Sequence, residues 1–285
     1  MPLLIAHLTD LHTVVTNHLC YGKIDTNQQL REAIAHLESL RPRPDLVLVS
    51  GDLTEHGSPE QYAALRKILG KLSLPIYLVP GNHDRRQPFL RAFADAGYLP
   101  APGSPFSHFV CERWPLRLIG LDTMIDGKRR GQLCRARLAW LAARLAESTR
   151  ETLIFMHHPP FHAGLQGMDN QGLEDIKPFR ALIERHPQVR AIACGHLHRA
   201  VQTRIGEALV VSQPSTCHQV ALNLAPNAGL AVDLILEPRA IGLLKFFNGN
   251  IINHISYVPN NYEQFRPLDP PSLLADEYSG ETQIT

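Results

Sequence analysis

Short apolar runs that end in a polar motif recur along the chain. Leu3 to Leu8 leads into Asp10-x-His12, Leu46 to Ser50 into Gly51-Asp52, and Ile76 to Pro80 into Gly81-Asn82-His83-Asp84. Leu153 to Met156 leads into His157-His158-Pro159, and Ala191 to Cys194 into Gly195-His196-Leu197-His198. The runs are aliphatic or β-branched without polar alternation, the pattern of strands buried on both faces in a parallel sheet. Open α/β sheets bind ligands at the carboxyl ends of their strands. The five runs are therefore expected to carry their motifs to one edge of one sheet.

Helical patterns lie between them. Thr26-Asn27-Gln28-Gln29 reads as a capping box opening a helix with Leu30, Ala33, Ile34 and Leu37 on one face. Ser58-Pro59-Glu60-Gln61 repeats the device, with Tyr62, Leu65, Ile68 and Leu69 as the buried stripe. A third helix is expected from about Leu133 to Glu147. This alternation predicts right-handed crossovers and a largely parallel core. From about Ala208, strand-like runs (Leu209 to Ser212, Leu230 to Leu236, Ile241 to Phe247, Ile251 to Val258) predict a second, more antiparallel sheet or a hairpin cap. Residues from Pro259 onward, rich in Pro, polar and acidic side chains, read as a surface tail or intersubunit arm. The expected division is a main domain over 1–240 and a cap, or oligomerisation element, with its tail over 241–285.

Composition narrows the class. With 285 residues and 44% hydrophobic content the chain can bury a large α/β core. The 28 basic and 27 acidic residues leave a net charge of +1, and no Lys/Arg-rich run points to duplex nucleic acid or an anionic membrane. No stretch approaches the roughly 18 apolar residues of a membrane span. The apolar N-terminus runs straight into Asp10 and reads as a first strand rather than a signal peptide. Five cysteines without paired spacing indicate neither a disulfide framework nor a thiolate zinc site, so a reducing cytoplasm is expected.

The chemistry follows from the motif series. A nucleophile elbow, a phosphate loop and a dinucleotide fingerprint are all missing from the sequence. Imidazole and carboxylate without thiolate suit iron, manganese, cobalt or zinc. A carboxylate shared by two such ions holds them about 3.5–4 Å apart and lets a water deprotonate near neutral pH. Asp52, central in the series, is the expected bridge. An Asn ligand is neutral and leaves more positive charge at the metals, which favours anionic substrates.

In this order, D-x-H, G-D, G-N-H-D, H-x-P and G-H-x-H resemble the calcineurin-like metallophosphoesterase superfamily, over Leu3 to His218. Tyr21-Gly22-Lys23-Ile24-Asp25, Gly51-Asp52-Leu53-Thr54, Met156-His157-His158-Pro159-Pro160 and Ser215-Thr216-Cys217-His218-Gln219 are similar to bacterial phosphodiesterases of the class III cyclic nucleotide type. Through Tyr21-Gly22 they are similar in particular to the glycerophosphodiesterase branch. The resemblance implies a four-layer α/β/β/α sandwich with a C-terminal hairpin cap and tail, a catalytic domain over 1–240, and a homodimer or higher homo-oligomer. It implies one divalent ion on Asp10, His12, Asp52 and His198, and a second on Asp52, Asn82, His157 and His196. His83, which follows Asn82 and has no coordination role, becomes the general acid, and His218 and Asn82 become contacts to the substrate phosphate. The implied activity is hydrolysis of small phosphodiesters by hydroxide generated at the metals, with glycerophosphodiesters as substrate and 3′,5′-cyclic AMP as the alternative. Phosphomonoester or nucleic-acid cleavage and a non-catalytic scaffold are weaker readings, because no basic track is evident and every motif position is filled.

Several neighbours remain to be placed. His157 is preferred to His158 as the ligand, because the family motif sets it two residues before proline. Asp84 either completes a turn or orients a ligand. Gly51, Gly81 and Gly195 read as close-approach positions. His7, His18, His36, His108, His186 and His254 read as ordinary histidines, and Arg129-Arg130 as a solvated face, with a phosphate-approach role as the weaker reading.

Overall fold

The computed structural model describes residues 2–258, so the tail expected from Pro259 lies outside the described residues. In chain order the elements are β1 (Leu3–Leu8), α1 (Thr26–Ser39), β2 (Leu46–Ser50), α2 (Pro59–Leu69), β3 (Ile76–Val79), α3 (Arg86–Ala92), β4 (Phe109–Cys111) and β5 (Arg117–Leu121). Then come β6 (Gly131–Gln132), α4 (Arg135–Ala146), β7 (Thr152–Met156), α5 (Gln166–Asp169), β8 (Leu173–Glu174), α6 (Ile176–Glu184) and β9 (Val189–Cys194). β10 (Val201–Ile205), β11 (Ala208–Ser212), β12 (Gln219–Val220), β13 (Leu234–Ile235), β14 (Arg239–Phe247) and β15 (Asn250–Val258) complete the series.

All five expected strands form, but they divide between two sheets. One sheet has the order β15-β14-β1-β2-β3 and the other β10-β11-β9-β7-β5-β4. The single sheet edge expected from the sequence is thus replaced by the neighbouring ends of two sheets. The reason lies in the side chains, since a strand buried on both faces looks the same in either sheet.

Two-residue periodicity then builds the layers. Leu3, Ile5, Leu46 and Leu48 of the first sheet meet Leu118, Leu153, Phe155, Ala191 and Ala193 of the second in a core between the sheets. The alternate residues Ala6, Leu8, Val47 and Val49 pack outward with Leu30, Tyr62 and Phe89 of α1, α2 and α3. Ile119, Ile154 and Ile192 pack outward with Leu141 of α4 and Phe179 of α6. Each fully buried Leu, Ile or Phe contributes roughly 1.5–3 kcal/mol. The product is the expected α/β/β/α sandwich.

Two local readings change. The N-cap of α1 is Asp25, whose carboxylate accepts from the Gln28 amide at 2.9 Å, and not Thr26. The Thr26 hydroxyl instead donates to the His12 carbonyl at 2.7 Å, which ties the helix start to the first motif. Most C-terminal strands join the two main sheets, β11 pairing parallel with β9 and β14 antiparallel with β1, and the separate antiparallel sheet is only the two-residue pair of β12 and β13. The 240/241 boundary accordingly falls inside β14. The β14–β15 hairpin places Ile241 and Val258 in one core and Leu244 and Phe246 in another, so the sandwich itself covers most of its apolar side. Of the run Leu230 to Leu236, only Leu234–Ile235 is a strand.

Candidate metal centre

Each motif begins where its strand stops, and the backbone there turns sharply. Asp10, His12, Asp52, His196 and His198 all have positive φ, between 45° and 70°. A non-glycine residue in this region costs roughly 1–2 kcal/mol, and such residues cluster where side-chain placement serves a function. Gly81 answers a second demand: a Cβ there would stand 2.2 Å from Asp52 Oδ1.

The seven expected ligands are buried and converge. The ligand atoms of Asp10, His12, Asp52 and His198 all lie within 4.8 Å of one another. Asp52 Oδ2 lies 3.8 Å from His12 Nε2 on one side and 3.4 Å from His157 Nε2 on the other, between the two expected ligand sets. Asn82 Oδ1 faces His157 Nε2 at 3.0 Å and His196 Nδ1 at 3.1 Å.

Outer contacts orient the imidazoles. His12 Nδ1 donates to Glu55 Oε2 at 2.7 Å, His157 Nδ1 to the Ser50 carbonyl at 2.8 Å, and His198 Nδ1 to the His218 carbonyl at 2.8 Å. Each ring therefore turns its Nε2 lone pair inward, the arrangement metal-binding histidines use. His12 Nε2 and His198 Nε2 then stand only 3.2 Å apart. Two lone pairs at that distance repel unless a proton or a metal ion lies between them.

Protonation tells the same story. Burial opposes ionisation of Asp10, yet His198 beside it holds the carboxyl below the usual range. Burial likewise opposes a charged His157, and the Asp52 carboxylate nevertheless pushes it up to about 9. The site's carboxylates thus draw positive charge into a buried space, and divalent ions satisfy that demand as well as protons do. The nitrogen and oxygen donor set fits such ions.

His83 stands beside the cluster. Its backbone N–H donates to Asp52 Oδ1 at 2.9 Å and its Nδ1 to the Glu55 carbonyl at 3.0 Å. Its side chain is 28% exposed and lines the cavity over the ligands. Burial works against the charged ring, but Asp52 and Glu55 push it up to about 10. His218 lines the same cavity, with its ring centroid 4.8 Å from that of His198 and 5.1 Å from that of His12. Burial and those two rings push it down to about 2, so it is neutral.

The structure gives partners to two residues left open by the sequence, His158 and Asp84, and to one read as ordinary, His7. His158 lies beside His157 and His196, the ligand atoms of the three within 4.8 Å of one another, but both of its nitrogens are engaged: Nε2 donates to the Arg129 carbonyl at 3.0 Å, and Nδ1 meets the Thr123 hydroxyl at 2.8 Å. Asp84 accepts from the amides of Leu53, Thr54 and Gly81 and from the Tyr62 hydroxyl, pinning the loops that carry Asp52 and Asn82 to each other. His7 is more than an ordinary histidine. Its Nε2 lies 2.8 Å from Ser50 Oγ, Ser50 Oγ donates to Thr9 Oγ1, and Thr9 Oγ1 donates to Asp10 Oδ2, both at 2.8 Å.

Glu55 escapes a motif-based reading. It lies in the loop three residues past Asp52, and only the fold reveals that its carboxylate holds both His12 and His83. A polar residue on an inward-facing strand position was the available signal for His7.

Comparison with known proteins identifies the family and the fold. The calcineurin-like phosphoesterase family model matches residues 3–200. A probable glycerophosphodiester phosphodiesterase of Arcobacter nitrofigilis is 34% identical, over 90% of this chain and 93% of its own. A 3′,5′-cyclic adenosine monophosphate phosphodiesterase of Escherichia coli K12 is 30% identical, over 75% of this chain and 76% of its own. A dimetal phosphatase from Danio rerio shares the fold, with a TM-score of 0.62 at 16% identity over 89% of this chain and 98% of that one. With the family model spanning most of its length and its motif residues gathered at the strand ends, this chain belongs to the calcineurin-like phosphoesterase family.

Proposed function

We propose that the chain hydrolyses small phosphodiesters and that glycerophosphodiesters are its substrates. The position of Asp52 Oδ2 between two ligand sets, beneath a cavity that His83 lines, carries this reading. Asp10, His12, Asp52 and His198 would hold one divalent ion, and Asp52, Asn82, His157 and His196 the other, drawn from iron, manganese, zinc or cobalt. When bound, such a pair polarises phosphoryl oxygens and supplies hydroxide at neutral pH.

The chain's own residues do the rest. His83, held protonated by Asp52 and Glu55, gives its proton to the departing alkoxide oxygen. Neutral His218 and the Asn82 amide line the same cavity and would face the phosphate oxygens of a bound diester. 3′,5′-Cyclic AMP is the second reading, favoured by the Tyr21 ring and the apolar Val220, Val232 and Leu234 that line the cavity and could flank a purine.

The reconstituted protein should turn over glycerophosphoglycerol and cyclic AMP with kcat/KM at least about tenfold above that for glycerol 3-phosphate. A monoester preferred over both diesters would overturn the diesterase reading.

The cytoplasm and a homo-oligomer belong to the same proposal. All five cysteines are free, and no helix among the described residues is long and apolar enough to cross a membrane. Among the described residues the apolar surface left open lies mainly in the segment 221–236, where Leu222, Leu224, Leu230, Leu234, Ile235 and Leu236 are exposed, with Ile252 and Tyr257 of the hairpin exposed as well. A second copy would cover it. Sedimentation should find a dimer or larger at micromolar concentration, and a monomer there would remove the oligomer.

A further inference from the structure

We propose that Arg129 sets the charge preference of the cavity for the alcohol arm of its substrate. Arms that carry an anionic group are favoured, and arms that end in a quaternary ammonium are disfavoured. This deepens the diesterase reading and rests on it.

Arg129 lines the same cavity of about 240 Å³ as Asn82, His83 and His196. Its backbone is fixed on the His157 and His196 side of the centre. The Arg129 carbonyl accepts from His158 Nε2, and the His158 ring packs 4.8 Å from each of the His157 and His196 rings. The loop around it is pinned at its ends: the Lys128 amide donates to the Ile125 carbonyl at 2.9 Å, and the Gly131 amide to the Gly172 carbonyl at 3.2 Å. Gly131 cannot carry a side chain, because a Cβ there would lie 2.3 Å from His158 Nδ1. The backbone under the guanidinium is therefore preorganised, which lowers the ordering cost of a contact.

The side chain above it is electrostatically unspent. Arg129 Nη1 lies 3.4 Å from the neutral Gln171 Oε1, and among the described residues no carboxylate pairs with it. Away from the centre and its cationic His83, the other walls are uncharged: Tyr21, Met168, Val220, Val232 and Leu234. The one carboxylate lining the cavity is Asp52, whose charge is committed to the centre. A trimethylammonium group is recognised by carboxylates or by an aromatic cage. Here it would meet a single tyrosine ring and a guanidinium of like charge. A phosphate on the arm would meet a fork of donors shaped for it.

Two glycerophosphodiesters that differ by one arm phosphate test this, glycerophosphoinositol 4-phosphate and glycerophosphoinositol, with glycerophosphocholine as the cationic arm. For the metal-loaded protein, kcat/KM should be about tenfold or more higher for the phosphorylated arm than for the bare one, a charge-assisted hydrogen bond being enough for that. Glycerophosphocholine should rank last. Arg129→Ala should collapse the ratio toward one, Arg129→Lys should keep part of it, and added salt should shrink it in the wild type only. Isothermal titration of the two inositol compounds reads the same ratio without turnover. Hydrolysis of all three with a ratio that Arg129→Ala leaves unchanged overturns the role of Arg129. Binding with the expected ratio but no hydrolysis would overturn the diesterase reading and leave Arg129 as the selective contact.

Discussion

Replacing Asp52 with alanine is expected to lower phosphodiester turnover at least about a thousandfold and to reduce the bound metal from two ions per chain to one or none. Asp52 Oδ2 stands between the two ligand sets, 3.8 Å from His12 Nε2 and 3.4 Å from His157 Nε2. Its second oxygen accepts from the His83 amide at 2.9 Å, so the substitution also loosens the loop that presents His83. Asp52→Asn keeps the shape of the side chain and removes only its charge. If the charge is what the ions need, this variant loses metal nearly as completely as the alanine variant. Elemental analysis beside turnover, with thermal melting as the control for folding, reads both. Two ions retained with near-normal turnover in Asp52→Ala would reassign the bridge.

The second large effect is expected at His83, and it depends on the leaving group. An alkoxide from glycerol needs a proton as it departs, whereas a nitrophenolate hardly does. His83→Ala should cost about 10²–10⁴-fold on a glycerophosphodiester and only a few-fold on a nitrophenyl diester, with both ions retained. Metal should stay because the bond that His83 makes to Asp52 comes from its backbone. The pH profile supplies the sign. The ring acts while protonated, so its contribution is present below its pKa and lost above it. Asp52 and Glu55 push that value up to about 10, and bound cations push it back down. The alkaline limb of kcat should therefore fall below pH 10 in the wild type and disappear in the variant. Equal losses on both substrates at full metal occupancy would move His83 from proton donation to positioning.

Both expectations start from residues that the linear sequence displays, and the reason is geometric. A buried parallel strand announces itself as an uninterrupted apolar run, and its carboxyl end is where a polar motif can reach a ligand. Asp10, Asp52, Asn82, His157 and His196 each follow such a run closely, so their convergence could be anticipated without any knowledge of the packing. The supporting contacts could not. Glu55, His7 and Asp84 act through neighbours 43, 43 and 31 residues away in the chain, a pairing that no local pattern encodes. Arg129 looks like half of an ordinary surface pair until His158 is seen to hold its carbonyl over the cavity.

Local propensity also misleads where two residues compete for one role. Asp25 and Thr26 can both cap α1, and tertiary structure chooses between them because the Thr26 hydroxyl has a better partner in the His12 carbonyl. The hairpin of β14 and β15 reads as a cap because its two apolar runs follow the last motif and are joined by an Asn-Gly turn. It joins β1 instead, since Leu244 and Phe246 find the space between the sheets there.

By itself the sequence determined the five motif-bearing strands and their order, the seven side chains at their ends and the family. All of these rest on short-range periodicity and on motifs that sit at strand ends. Only the tertiary structure decided that β1 to β3 belong to one sheet and β7 and β9 to another, and that Asp52 stands between two ligand sets. It alone decided which neighbours turn each imidazole inward. Sheet membership and side-chain partnership are long-range choices, made by which surfaces fit when all the strands pack at once, and a strand buried on both faces carries no mark of which neighbour it will take.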